Sequence, residues 1–221
     1  MKSIKMLMMS ALSILSVSVY AVCFIVFSAC KSDGSKKEHE DKDMNNMSSN
    51  TTQNANDTDD KMVKTVAVTY TNLDTKAAAS IKEIVDHYLH IKNALANDNA
   101  PEASNGGEAM EGAISKVDKS LFTSEQKIVY DNVRAGLKEH AIQIGKKGDN
   151  IQEQREHFVA LSEDVYGLVK AFGAGGPMYN DYCPMARDNK GAMWISEMKE
   201  IKNPYFGAKM LSCGSVKEII R

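Results

Sequence analysis

The spacing of apolar side chains changes character several times along the chain. From Met6 to Ala29 almost every position is apolar or small, and from 31 to 62 almost none is. From Asp74 onward apolar residues return at three- and four-residue steps. Ile81, Ile84, Val85, Tyr88, Ile91 and Leu95 form one stripe, which predicts a helix over roughly 74–97. A weaker helix is expected over Pro101–Asp118, interrupted at Gly106-Gly107. A third, capped by Thr123 or Ser124, carries Val129, Val133, Leu137 and Ile144 and ends near Gly145–Gly148. A fourth, capped by Asp149 or Asn150, turns Phe158, Leu161, Val165, Leu168, Val169 and Phe172 inward until Gly173, Gly175 and Gly176 stop it. Val63 to Tyr70 alternates briefly and reads as an extended lead-in. Four helices joined by short turns predict a mostly α domain, an antiparallel four-helix bundle.

The last segment, 177–221, does not continue the helical period. It is rich in Pro, Gly, Met and aromatic residues, so an irregular Cys/Met/aromatic segment is expected beside the bundle. Asn203-Pro204 has the form of a helix start. A short helix from Pro204 to Gly214 would set Met210 and Cys213 one turn apart.

The first apolar run has the form of an export signal: Lys2 and Lys5, an apolar core, then Phe27-Ser28-Ala29-Cys30. Small residues before a cysteine resemble a bacterial lipobox, with Phe27 where Leu is usual. This reading makes residues 1–29 a lipoprotein signal peptide and Cys30 the lipidated first residue. Residues 30–62 become a disordered tether, and 63–221 the functional domain. His39, Met44 and Met47 read as parts of a solvated spacer. A transmembrane anchor is the competing reading, since roughly 20 apolar residues span a bilayer. Either places the domain outside the cytoplasm on a membrane. The lipoprotein reading favours the periplasmic face of the outer membrane.

Charge narrows the partners. The chain carries −2, and loss of Lys2 and Lys5 with the leader makes it two units more negative. No basic patch recommends nucleic acid. The sequence contains no Gly-x-Ser-x-Gly, His-Glu-x-x-His, phosphate loop or Cys-x-x-Cys, so no enzyme is expected.

The chemistry that remains is sulfur and imidazole. Cys23 belongs to the leader and Cys30 to the anchor, which leaves Cys183 and Cys213. Each lies within three residues of a methionine, Met185 and Met210. Soft thiolate and thioether donors suit Cu(I), and a bent Cys183-Pro184-Met185 can turn two sulfurs to one point. The same two cysteines also suit a structural disulfide worth roughly 3–4 kcal/mol. His140 lies on the apolar stripe of the third helix and His157 beside that of the fourth. Antiparallel packing would bring them level as supplementary ligands, with Zn an alternative ion; a hydrogen-bonded boundary pair is the other reading. Trp194 reads as an anchor for the segment, and Arg155 as a buried-edge ion pair or an anchor for the C-terminal segment.

Cys183-Pro-Met-Ala186, Gly191-Ala-x-Trp194, Asn203-Pro-Tyr-Phe-Gly207 and Met210-Leu-x-Cys-Gly214, in this order, resemble an uncharacterised helical domain family of Bacteroidota. Tyr88-Leu-x-Ile-Lys-x-Ala-Leu95 and Gln154-Arg-x-x-Phe158-x-x-Leu-Ser162 extend the resemblance over about 75–220. Members occur as exported proteins or lipoproteins. Related domains are appended to the periplasmic adaptor subunits of copper- and silver-type efflux pumps. The resemblance implies a periplasmic domain associated with metal export.

Together these readings predict a lipid-anchored domain that binds a soft metal, Cu(I) first and Zn second. The expected ligands are Cys183, Met185, Met210 and Cys213, supplemented by His140 or His157. It would buffer the ion or pass it to an efflux adaptor. The rival is a non-metal interaction module stapled by Cys183–Cys213. There Tyr179, Tyr182, Trp194, Tyr205 and Phe206 form a core or a docking patch.

Overall fold

A computed structural model describes residues 63–221 of the chain. The expected signal peptide, Cys30, and the expected tether with His39, Met44 and Met47 lie outside the described residues. Within 63–221 the architecture is mostly helical, with a small mixed sheet formed largely by the C-terminal segment.

Each long helix begins where a side chain can satisfy its free N–H groups. In α1 (Thr75–Ala96) Asp74 accepts from Lys76 N at 2.8 Å and Ala77 N at 3.2 Å. Asn99 does the same for α2 (Ala100–Lys116), with Pro101 in the first turn. Thr123 and Gln126 form a reciprocal capping box on α3 (Ser124–Lys146). Asn150 caps α4 (Ile151–Phe172), which ends at Gly173, φ +73°. Thr69 N and Tyr70 N then donate to Lys170 O and Ala171 O, so the lead-in segment covers carbonyls that the last turn of α4 cannot use.

The predicted stripes are the packed faces. Those of α1 and α4 are buried throughout, whereas Val129 and Val133 of α3 are only partly covered. α1 packs on α2, α2 on α3, α3 on α4, and α4 returns to α1.

Gly106 and Gly107 do not interrupt α2, contrary to the sequence expectation; they are where its neighbours touch it. A Cβ on Gly106 would lie 2.8 Å from the Ile91 side chain, and one on Gly107 would lie 2.7 Å from both Ala141 O and Gly145 N. The second contact is backbone against backbone, which cannot step aside. Gly107→Ala should therefore destabilise despite the better helix propensity of Ala, by about 1–3 kcal/mol. A urea midpoint unchanged from wild type would refute this close approach.

The C-terminal segment is likewise more regular than expected. β2 (Met178–Cys183) and β3 (Ala192–Ser196) pair antiparallel, β4 (Ser215–Ile220) pairs antiparallel with β2, and β1 (Lys64–Val66) lies parallel to β4. The order is β1-β4-β2-β3. No helix starts at Pro204: Asn203 Oδ1 takes the N–H of Tyr205 at 2.8 Å, and only a 3-10 turn, Gly207–Lys209, follows.

β3 packs on α4 and α1, and its outer edge is closed by two hydroxyls. Tyr88 of α1 accepts from Ile195 N at 3.0 Å, and Tyr205 donates to Met193 O at 2.5 Å. Tyr88 also bonds Ser162 of α4 at 2.9 Å. Rings follow the hydroxyls: Tyr88 stacks on Phe158, and Trp194 meets Tyr205 edge-on. Among the described residues, no helix is long and apolar enough to cross a membrane.

Candidate metal and thiol sites

Four of the six predicted ligands meet in two pairs, Cys183 with Cys213 and His140 with His157. Cys183 ends β2 and is fully buried; Cys213 lies in the turn before β4 and is half-buried. Their Sγ atoms are 2.8 Å apart. Two thiolates on one tetrahedral Zn(II), at 2.3 Å each, would stand about 3.8 Å apart. This sulfur pair is about 1 Å closer than that.

The methionines beside it in sequence lie in turns. Met185 is 45% exposed, in a turn whose next residues Arg187, Asp188 and Asn189 take left-handed φ of 55–66°. Met210 lies at the end of the 3-10 turn, where its carbonyl accepts from Cys213 N at 3.0 Å. The expected helical Met210/Cys213 face is thus replaced by a turn.

The histidines do meet. His140 of α3 and His157 of α4, both half-buried, face each other with Nδ1 atoms 3.4 Å apart and ring centroids 5.6 Å apart. Burial, then the charge of His140, pushes His157 below the ordinary imidazole value, which favours its neutral form. Asp164 lies along the same seam. Burial raises its carboxyl and the charge of His140 lowers it, and the missing side chain of Gly136 leaves it room. His87 is half-buried, and exposed His90 bonds Glu102 at 2.9 Å. Among the described residues, no group of three or more His, Cys, Asp or Glu gathers at metal-holding spacing.

Arg155 takes both roles expected of it. It donates to Pro204 O at 2.8 Å, Leu95 O at 2.9 Å and Asp98 Oδ1 at 2.6 Å, joining α4 to the end of α1 and to the C-terminal segment. Its ion partner is Asp98 rather than the adjacent Glu153 or Glu156. Asp98 also accepts from Ala208 N at 2.9 Å, and that bond, with Arg155, holds its carboxyl below the usual range.

Sequence reading missed a buried ionic cluster between α1 and the sheet. Lys92 is wholly buried and reaches Glu197 at 2.7 Å and Ser196 Oγ at 3.4 Å. Asn93 donates to the other Glu197 oxygen at 3.0 Å. Burial opposes charge on Glu197, but Asn93 and Lys92 together hold its carboxyl below the ordinary value. Asp181 of β2 is fully buried with both oxygens unpaired, and burial pushes it up to about 8. The only sequence signal was position: Lys92 directly follows Ile91 on the inward stripe.

Tyr179, Tyr182 and Phe206 are half-buried, while Trp194 and Tyr205 are core. The family described as "Protein of unknown function (DUF3347)" matches residues 84–176, from the middle of α1 through the glycines after α4. This fits an uncharacterised helical domain family. The sheet and both cysteines, whose motifs carried the resemblance, fall outside the match. No curated protein and no solved structure is matched by the chain.

Proposed function

We propose that this domain binds a single borderline or soft metal ion, copper or zinc, at His140 and His157 on the α3–α4 seam. One observation carries the reading: the two Nδ1 atoms are 3.4 Å apart. Two imidazole nitrogens on one tetrahedral Zn(II), at 2.0–2.1 Å each, stand about 3.3–3.4 Å apart. The histidines therefore have the separation of two cis ligands, which the sulfurs do not. Imidazole suits Zn and Cu alike.

Two protein ligands leave coordination positions for water or for a donor from another molecule. Such a half-buried site gives up its ion by ligand exchange more readily than a closed four-ligand cage. That suits buffering or hand-off to an efflux adaptor in the cell envelope. The envelope location and membrane tether rest on the leader and Cys30, and the efflux link on the family resemblance. The helical frame is read as an antiparallel four-helix bundle. Supporting this, Ser104 bonds Gly145 O, Gly107 abuts Ala141, and Ser115 takes a bond from Lys138, so α2 and α3 run in opposite senses.

The full-length protein, extracted in mild detergent, should be titrated anaerobically with Cu(I) against a coloured chelator, and separately with Zn(II) by calorimetry. One equivalent is expected to bind. It should survive Cys183→Ser with Cys213→Ser. His140→Ala or His157→Ala should each weaken it beyond the roughly 10–100-fold cost of outer-shell changes, while His90→Ala leaves it alone. Binding that survives loss of both seam histidines would end the proposal. Binding lost only with the cysteines would return the ion to sulfur.

A further inference from the structure

We infer that Cys183 and Cys213 are joined by a disulfide in the mature protein, a covalent staple closing the excursion that contains β3 and Trp194. The two thiols are brought together by frames that do not depend on their bond. Cys183 is fixed by the β2–β3 ladder, where it pairs with Ala192. Cys213 is fixed from both sides of its peptide: its N–H donates to Met210 O at 3.0 Å, and its C=O accepts from Asn203 Nδ2 at 2.7 Å. Asn203 is itself fully buried. The adjoining Gly214, φ +144°, lies where any Cβ would come within 2.8 Å of the Trp194 ring. The sulfurs thus meet at 2.8 Å, inside ordinary non-bonded contact, with the backbone of each cysteine held by bonds of its own.

The chemistry balances with an external disulfide, R–S–S–R, as oxidant. The half-buried Cys213 is the sulfur a reagent can reach. As thiolate it displaces one R–S⁻ and becomes a mixed disulfide. The fully buried Cys183, losing its proton, then attacks Cys213 Sγ and releases the second R–S⁻. Two protons and two electrons leave the pair, and two R–SH are formed. An exported compartment is where such a bond persists.

The hydrogen bond to Cys183, and burial, push the Cys213 thiol up to about 11. A redox catalyst instead depresses its attacking thiol. Once closed, the bond leaves no thiolate for a soft ion, so this inference goes beyond the metal proposal and survives its failure.

The test is peptide mapping of the full chain, isolated from its oxidising compartment without reductant and alkylated in denaturant before and after reduction. The expected result is a linked peptide pair containing Cys183 and Cys213, with neither alkylated until reduced. Reduction of the intact protein should lower its melting temperature by roughly 10 °C. The Cys183→Ala, Cys213→Ala double variant should show a similar loss and no further response to reductant. Alkylation of both residues before reduction overturns the inference, as does a linkage from either one to Cys23 or Cys30. A linked pair whose reduction leaves the melting temperature unchanged removes its role as a staple. The wild-type protein alone decides the question if the double variant does not accumulate.

Discussion

Replacing Lys92 with Met is expected to destabilise the domain by about 1–3 kcal/mol, since Lys92 is wholly buried while the Glu197 carboxylate left behind is 32% exposed and partly solvated. Met keeps most of the volume, so little of the loss comes from a cavity. What disappears is the cation, which bonds Glu197 at 2.7 Å and faces the unpaired carboxyl of Asp181. Glu197 would keep its bond from Asn93 but lose its cation. Ser196 Oγ would not be stranded, because it also accepts from Met198 N. Urea unfolding followed by circular dichroism measures the loss. A drop under about 1 kcal/mol would mean that Lys92 swings to solvent. Adding Glu197→Gln to Lys92→Met should restore part of the deficit.

Asp181→Asn acts on the same cluster with the opposite sign above neutral pH. The carboxyl titrates at 3.8 ordinarily and at about 8 in the fold. Between those values the folded protein holds a proton that the unfolded chain has released. The group's contribution is therefore complete below about pH 4 and is lost as pH rises through 8. The slope can reach about 1.4 kcal/mol per pH unit. Asn keeps the neutral shape and cannot ionise, so the variant should lack this decline and be the more stable protein at pH 9. Near pH 4 the advantage should vanish. Lys92 and Glu197 face the same carboxyl and feel its charge, so the difference between the two curves reports Asp181 together with its coupling to them. Parallel stability–pH curves for the two would show that Asp181 is ionised throughout the range.

How much of this was legible depends on the kind of residue. Ile81 to Leu95 and Phe158 to Phe172 announced their helices because apolar side chains on a 3.6-residue period have few other uses. Asn150 and Thr123 announced the starts. Gly106-Gly107 misled for a physical reason: glycine that breaks a helix and glycine that lets a neighbouring backbone approach are the same letter. The sheet was hidden because period-two alternation fails where it should have shown. β2 buries Asp181 in place of an apolar residue, and β4 shifts register opposite Asn180/Asp181.

At the candidate site, sequence symmetry about Asp149 was enough to bring His140 level with His157. Proximity in sequence did not foretell the turn that holds Met210 beside Cys213. Helical register carries over many residues, whereas the direction of a side chain in a turn does not. Asn203-Pro204 shows the same limit. The capping side chain acts as expected, but it closes a turn because no helix follows for it to start.

The two tyrosine hydroxyls on β3 also limit how copies of this protein can join. A sheet grows by adding strands to a free edge, and here one edge is already spoken for by Ile195 and Met193. Among the described residues the other edge is β1, three residues long, with Lys64 and Thr65 exposed. Two molecules could pair there, edge to edge. Among the described residues the sheet therefore offers an incoming strand one short edge in place of two.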